Sequence, residues 1–104
     1  MSDYIKVAKV GDLAEGQAKV FEANDERVTL CKVGGCVYAI ADICTHDGGP
    51  LGEGDLDGFE IICPRHGARF DVRSGAVLSF PAITPVDSYA VKLDGDDVLV
   101  QMGE

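Results

Sequence analysis

Two short segments of the chain each carry one cysteine and one histidine at the spacing of metal ligands. Cys44 and His46 have one residue between them, and Cys63 and His66 have two. Sixteen residues separate the two pairs. Thiolate and neutral imidazole both bind transition metals, and two short loops can close over one centre from opposite sides. The four side chains therefore predict a metal site with two sulfur and two nitrogen ligands.

The mixed pairs favour an iron–sulfur cluster over a zinc ion. In one type of [2Fe-2S] centre, two histidines replace two cysteines on one of the irons. Here Cys44 and Cys63 would bind one iron, and His46 and His66 the other. Such a cluster carries one electron at a time. Structural zinc sites usually place two cysteines together and two histidines together, so a zinc module remains the weaker alternative.

Short β-rich segments separated by turn residues make up most of the chain, and no segment has a helical period of useful length. Gly34-Gly35 and Asp94-Gly95-Asp96 each lie between two such segments and predict hairpin turns. The pattern predicts an all-β antiparallel domain. The predicted strands are Tyr4 to Ala8, Gln17 to Glu22, Val28 to Val33, Cys36 to Ala41, Phe59 to Ile62, Val77 to Phe80, Ser88 to Leu93 and Asp97 to Met102.

Two glycine- and proline-containing stretches, residues 42–58 and 63–75, interrupt this pattern, and each has a ligand pair near its start. We therefore predict a small cluster-binding lobe of about residues 42–82. It is inserted into an antiparallel β-sandwich base formed by the two ends of the chain. The length of 104 residues predicts one domain, residues 1–104.

Charge and hydropathy limit the possible partners. The chain has nine basic and eighteen acidic residues and a net charge of −9. Nucleic acid is not expected as a partner, because binding phosphates requires a basic surface. An acidic surface can steer encounters with basic patches on proteins, although solubility alone would explain the same charge. Neither a signal peptide nor a membrane span is evident, so we expect a cytoplasmic protein with reduced thiols.

The two remaining cysteines, Cys31 and Cys36, flank the Gly34-Gly35 turn. In a two-residue hairpin Val33 faces Cys36, which leaves Cys31 diagonal to Cys36. A disulfide is then geometrically awkward. We expect both to be small buried apolar side chains rather than ligands.

Catalysis by the chain alone is not expected. An oxygenase needs a second iron held by two histidines and a carboxylate, but the chain has only His46 and His66. The sequence also contains no nucleophile elbow, phosphate loop or nicotinamide fingerprint. These observations predict an electron carrier that is not an enzyme by itself.

The segment CTHDGGPLGEGDLDGFEIICPRHGARFDVRSGAVLSFPA resembles the cluster-binding region of Rieske ferredoxins, especially those of bacterial aromatic-ring dioxygenase systems. The resemblance extends over nearly the whole chain. It implies a Rieske fold of three small antiparallel sheets with the cluster at one tip. It also implies a monomer that takes electrons from a flavin-dependent ferredoxin reductase and passes them to a terminal oxygenase.

The chain differs from respiratory and photosynthetic Rieske proteins, which carry an extra cysteine in each loop and form a disulfide. Gly49 and Arg65 stand at those positions here. Those proteins also direct a serine and a tyrosine hydroxyl at the cluster sulfurs, where this chain has Ala68 and Phe70. Hydroxyl donors stabilise the negative charge of the reduced state, so the resemblance implies a low-potential carrier.

A different functional class is also compatible with the motif. The chain would then be a fixed subunit of a larger oxidoreductase, such as a nitrite reductase small subunit, rather than a free shuttle. A structural zinc module that mediates protein contacts is the third possibility.

Overall fold

The computed structural model describes residues 3–23, 25–43, 51–52, 54–64, 67–79 and 84–102. These residues form eleven β-strands and one short 3-10 helix, Val10–Asp12, but no α-helix and hence no helix that could span a membrane. The strands are β1 Asp3–Lys9, β2 Ala18–Ala23, β3 Glu26–Val33, β4 Cys36–Ala41, β5 Leu56–Asp57, β6 Glu60–Ile62, β7 Arg69–Asp71, β8 Val77–Ser79, β9 Ser88–Tyr89, β10 Val91–Asp94 and β11 Asp97–Met102.

The strands form three antiparallel sheets that are nested along the chain. The terminal sheet has the order β1-β11-β10, and the central sheet has the order β2-β3-β4-β9. The inserted sheet, β5-β6-β7-β8, lies between β4 and β9 in the sequence. The all-β antiparallel prediction and the implied three sheets are confirmed.

Both predicted hairpin turns are present. Val33 pairs with Cys36 across Gly34 and Gly35, whose φ angles of 62° and 81° are those a type I′ turn requires of both central residues. Asp94 pairs with Asp97 across a second two-residue turn. Since the turns fix the pairing, they also fix which side chains of each strand face the core.

The predicted strand Ser88 to Leu93 is divided in two. Its first half, β9, pairs with β4 in the central sheet, whereas its second half, β10, pairs with β11 in the terminal sheet. The sequence pattern also missed β5 and β7, which have only two and three residues. Strands this short offer too few alternations for a period to be recognised.

Alternate residues of the central sheet enter two different cores. Val28 and Leu30 of β3 face the terminal sheet, while Cys31 faces the inserted sheet. The base core, between the terminal and central sheets, contains Ala8, Leu13, Val28, Leu30, Val37, Ala39, Val98 and Val100. The lobe core, between the central and inserted sheets, contains Cys31, Ile40, Leu51, Ile61, Cys63, Ala68, Phe70, Val72 and Val86.

Glu15 lies just before β2 and binds the turn between β3 and β4. The amides of Gly34 and Gly35 donate to its two carboxylate oxygens at 2.6 and 3.0 Å. These two bonds, that of Gly34 first, hold the pKa of Glu15 below its ordinary value. The carboxylate is fully exposed, so the contribution to stability is small and declines with added salt.

We expect Glu15→Gln to lower the free energy of unfolding at neutral pH, with a deficit that shrinks in acid. The pKa of Glu15 is lower in the folded than in the unfolded state. Its stabilisation is therefore complete above the unfolded glutamate value of about 4.3 and is lost as the pH falls through the folded pKa. Urea unfolding at a series of pH values measures the difference. Glu22→Gln, at an exposed position of β2, is the control, and an equal pH dependence in both variants would argue against the assignment.

Candidate metal centre

Of the four predicted ligands, Cys63 is within the described part of the chain. Cys44, His46 and His66 lie outside the described residues, so their mutual geometry is not tested. Among the described residues, no three histidine, cysteine, aspartate or glutamate side chains lie close enough together to hold a metal ion. The assignment of four ligands thus stays a prediction. The surroundings of Cys63 show whether this residue is suited to bind a metal.

Cys63 directly follows β6 and begins the connection to β7. Its amide donates to the Ala68 carbonyl at 2.7 Å, and the Gly67 amide donates to the Cys63 carbonyl at 3.0 Å. Gly67 has a φ of 78°, which is accessible to glycine at little cost. These bonds continue the β6-β7 pairing beyond Ile62 and Arg69. The turn thereby fixes the backbone of Cys63 at the end of the inserted sheet.

The Cys63 side chain is a free thiol that is only 1% exposed. Leu51, Ala68 and Phe70, which share the lobe core with it, are fully buried. Thiolate sulfur is a ligand that iron–sulfur clusters favour, and the backbone turn holds this sulfur in one place. A buried thiol without a disulfide partner, held at a backbone turn, fits the role of an iron ligand.

The two cysteines near the Gly34-Gly35 turn differ from each other. Cys31 pairs with Tyr38, so it is diagonal to Cys36, and both thiols are free as predicted. Cys31 is fully buried, and burial raises its pKa to about 12, which keeps it a neutral thiol. The expectation that Cys36 is buried is wrong, because it is exposed. Cys36 is the first residue of β4, directly after the turn, and its side chain belongs to neither core.

The inserted sheet is joined to the central sheet through an aromatic and charged contact. The Tyr38 ring of β4 meets the Phe59 ring edge-on, with centroids 6.0 Å apart. The Arg73 guanidinium lies 4.1 Å from the centroid of Phe59 and donates to both carboxylate oxygens of Asp71. This hydrogen bonding lowers the pKa of Asp71. The contact orients the sheet that carries Cys63 relative to the base.

A second charged contact orders the short strands that the sequence pattern missed. Arg69 of β7 donates through Nη1 to Asp57 and Glu60, at 3.1 Å each. These ion pairs are substantially exposed to solvent, so each contributes little to stability. They lie across three adjacent strands, β5, β6 and β7, and so favour one register of the sheet.

Asp42 has a buried side chain near this site that the sequence pattern did not single out. It follows β4 and precedes Cys44 by two residues. Its carboxylate accepts hydrogen bonds from the backbone amides of Leu51 and Gly52, which follow the segment that carries Cys44 and His46. An aspartate after a strand commonly indicates a turn. This signal is general, so it gave no reason to single out Asp42.

Comparison with known proteins identifies one family over most of the chain. The Rieske [2Fe-2S] domain matches residues 3–90. The ferredoxin component of biphenyl 2,3-dioxygenase from Rhodococcus jostii (strain RHA1) is 41% identical over 97 residues, which cover 93% of this chain and 91% of that protein.

Solved structures give the same result for the fold. The ferredoxin of carbazole 1,9a-dioxygenase from Nocardioides aromaticivorans IC177 is 36% identical and superposes with a TM-score of 0.90, covering 94% of this chain and 96% of that one. A chain in the complex of reduced oxygenase and oxidized ferredoxin of carbazole 1,9a-dioxygenase is 32% identical, with a TM-score of 0.87 and coverage of 94% and 92%.

Proposed function

The chain belongs to the Rieske [2Fe-2S] domain family, and from this premise we propose that it is the ferredoxin component of an aromatic-ring dioxygenase system. The observation that carries the proposal is its similarity to ferredoxin components over more than nine-tenths of this chain and of those proteins, 93% and 91% for one and 94% and 96% for the other. The fixed-subunit alternative has less support, because these relatives are named as ferredoxin components.

The family cofactor is one [2Fe-2S] cluster, which accepts and releases a single electron when bound. Cys44, His46, Cys63 and His66 are the residues proposed to hold it. Cys63 provides a ligand from a backbone position fixed by the Ala68 and Gly67 hydrogen bonds. The lobe core excludes water from its sulfur, since Cys63 and its core neighbours are buried.

The proposed partners are a flavin-dependent ferredoxin reductase as electron donor and a terminal oxygenase as acceptor. A complex of oxygenase and ferredoxin exists for the carbazole dioxygenase relative. The net charge of −9 supports fast, weak encounters with proteins that present basic patches. We further propose that the chain acts as a cytoplasmic monomer, since a shuttle must dissociate from each partner in turn.

Four measurements on the purified protein test this function. Iron and acid-labile sulfide should be present in equal amounts, and dithionite should produce an electron paramagnetic resonance signal of a cluster with mixed histidine and cysteine ligation. The reduced protein should then be reoxidised by a terminal oxygenase in stopped-flow experiments, and gel filtration should give a monomer. A colourless zinc protein, or a signal typical of purely sulfur-bound clusters, would contradict the proposal.

The low potential proposed for this carrier rests on the absence of hydroxyls at Ala68 and Phe70, which are both fully buried. Ala68→Ser should raise the midpoint potential, because a hydroxyl donor stabilises the added electron. A preferential stabilisation of roughly 1.4 kcal/mol corresponds to about 59 mV for one electron, so we expect a rise of that order.

Protein-film voltammetry measures this change directly. Ala76→Ser, at an exposed alanine that precedes β8, is the matched control and should leave the potential unchanged. An unchanged or lower potential for Ala68→Ser would count against the explanation.

A further inference from the structure

We propose that Asp42 is a positioning residue for the first ligand pair, because its buried carboxylate joins the two ends of the segment 43–50 that carries Cys44 and His46. The inference rests on the proposed function, since it assigns a role toward the same cluster. It adds a residue that is not itself a predicted ligand.

One oxygen of the Asp42 carboxylate accepts three hydrogen bonds. Asp42 Oδ1 accepts hydrogen bonds from the amides of Leu51 at 2.9 Å and Gly52 at 2.7 Å, and from Thr29 Oγ1 at 3.0 Å. The first two donors follow the ligand segment, whereas Asp42 precedes it. The hydrogen bonds therefore close a loop around the eight intervening residues. The third donor anchors the closure to β3 of the central sheet.

Because the Asp42 carboxylate is buried, its hydrogen bonds to Leu51 and Gly52 are not an incidental surface contact. The Asp42 side chain is 0% exposed, and its counter-charge is Arg27, whose Nε lies 3.0 Å from Oδ2. Among the described residues, Oδ2 accepts no hydrogen bond. Burying a charge is costly, so a carboxylate here is tolerated only with its bonds to Oδ1 and with the ion pair intact. Removing it leaves buried donors without an acceptor.

Gly52 is required for the close approach of the backbone to Asp42. A Cβ added at residue 52 would lie 1.9 Å from Cγ2 of Val20 and 3.2 Å from Oδ1 of Asp42. Any other residue would have to move away from the central sheet. The amide of residue 52 would move with it, and this amide makes the shortest of the three hydrogen bonds to Asp42 Oδ1.

Leu51 connects this closure to the second ligand segment. Its amide binds Asp42, while its fully buried side chain belongs to the lobe core that also contains Cys63. Both predicted ligand segments are thus attached to one packed core. Fixing loop ends before the ligand binds reduces the conformational entropy lost on binding. Asp42 therefore acts by preorganising the first pair relative to Cys63.

The test compares Asp42→Ala, Asp42→Asn and Val98→Ala in the full chain. Asp42→Ala removes the shared acceptor, and we expect its cluster to be lost about tenfold faster to a chelator than that of the wild type. Asp42→Asn keeps an acceptor oxygen and should restore most of the retention. Val98→Ala makes a cavity in the base core. Each variant is assayed at the same number of degrees below its own melting temperature, so that Val98→Ala controls for general destabilisation.

A second readout does not depend on the cluster. Amide hydrogen exchange at Leu51 and Gly52 should accelerate in apo Asp42→Ala but not in apo Val98→Ala. If Asp42→Ala does not fold, Gly52→Ala tests the same contact and should also accelerate loss. Equal loss rates in the alanine variant and the Val98 control would overturn this proposal while leaving the proposed function intact. A wild-type protein without iron would overturn both.

Discussion

Replacing Cys63 by serine is expected to abolish the [2Fe-2S] cluster, with iron and acid-labile sulfide falling to less than about a tenth of the wild-type content. A neutral hydroxyl is a far poorer iron ligand than a thiolate, because soft sulfur ligands select such clusters. Cys63 is buried at a fixed backbone turn, so water has little access to take its place as a ligand. Metal and sulfide analysis, together with the visible spectrum, measures the loss.

The chain supplies matched controls for this substitution. Cys36→Ser changes an exposed thiol and should leave the cluster content unchanged. Cys31→Ala changes a buried thiol that shares the lobe core with Cys63 and controls for loss of packing. A Cys63→Ser protein with wild-type iron, or a Cys31→Ala protein that still folds but has none, would contradict the ligand assignment.

Gly75→Ala, between β7 and β8, should strongly destabilise the inserted sheet. Gly75 has a φ of 82°, and an added Cβ would lie 2.0 Å from the Val86 carbonyl oxygen. The left-handed conformation costs an alanine about 1 to 2 kcal/mol, and overpacking adds roughly 1 to 3 kcal/mol. We therefore expect the free energy of unfolding to fall by about 2 to 5 kcal/mol, measured by urea denaturation.

Gly35→Ala separates the two contributions. Gly35 has nearly the same φ, 81°, but a Cβ there would meet nothing within 4 Å. Its cost should be the conformational part alone, about 1 to 2 kcal/mol. If both variants lose the same stability, the close approach to the Val86 carbonyl contributes nothing to the cost.

The elements that sequence analysis predicted well are those determined by neighbouring residues. Gly34 and Gly35 specify a turn by their own conformational freedom, and that turn fixes the ends of β3 and β4 at Val33 and Cys36. The cysteine and histidine spacing identified the family for a similar reason. Ligands on two short loops form a chemical pattern that depends little on the rest of the fold.

The features that were missed depend on partners distant in sequence. The division of Ser88 to Leu93 between two sheets follows from the positions of β4 and β11, which no local pattern reports. β7 contains a charged residue at each end and is ordered partly by Arg69 contacts to Asp57 and Glu60. The hydrogen bonds that the Asp42 carboxylate accepts from Leu51 and Gly52 likewise depend on how the chain folds back, which no local pattern reports.

The pairing of β1 with β11 has a consequence for protein synthesis. These strands are separated by almost the entire chain, so the terminal sheet cannot close until β11 has left the ribosome. The β2-β3-β4 meander consists of local hairpins and can pair earlier. The base core would then stay uncovered on its terminal side while the ligand segments emerge. Nascent chains are accordingly expected to need protection from aggregation until β11 has emerged and paired with β1.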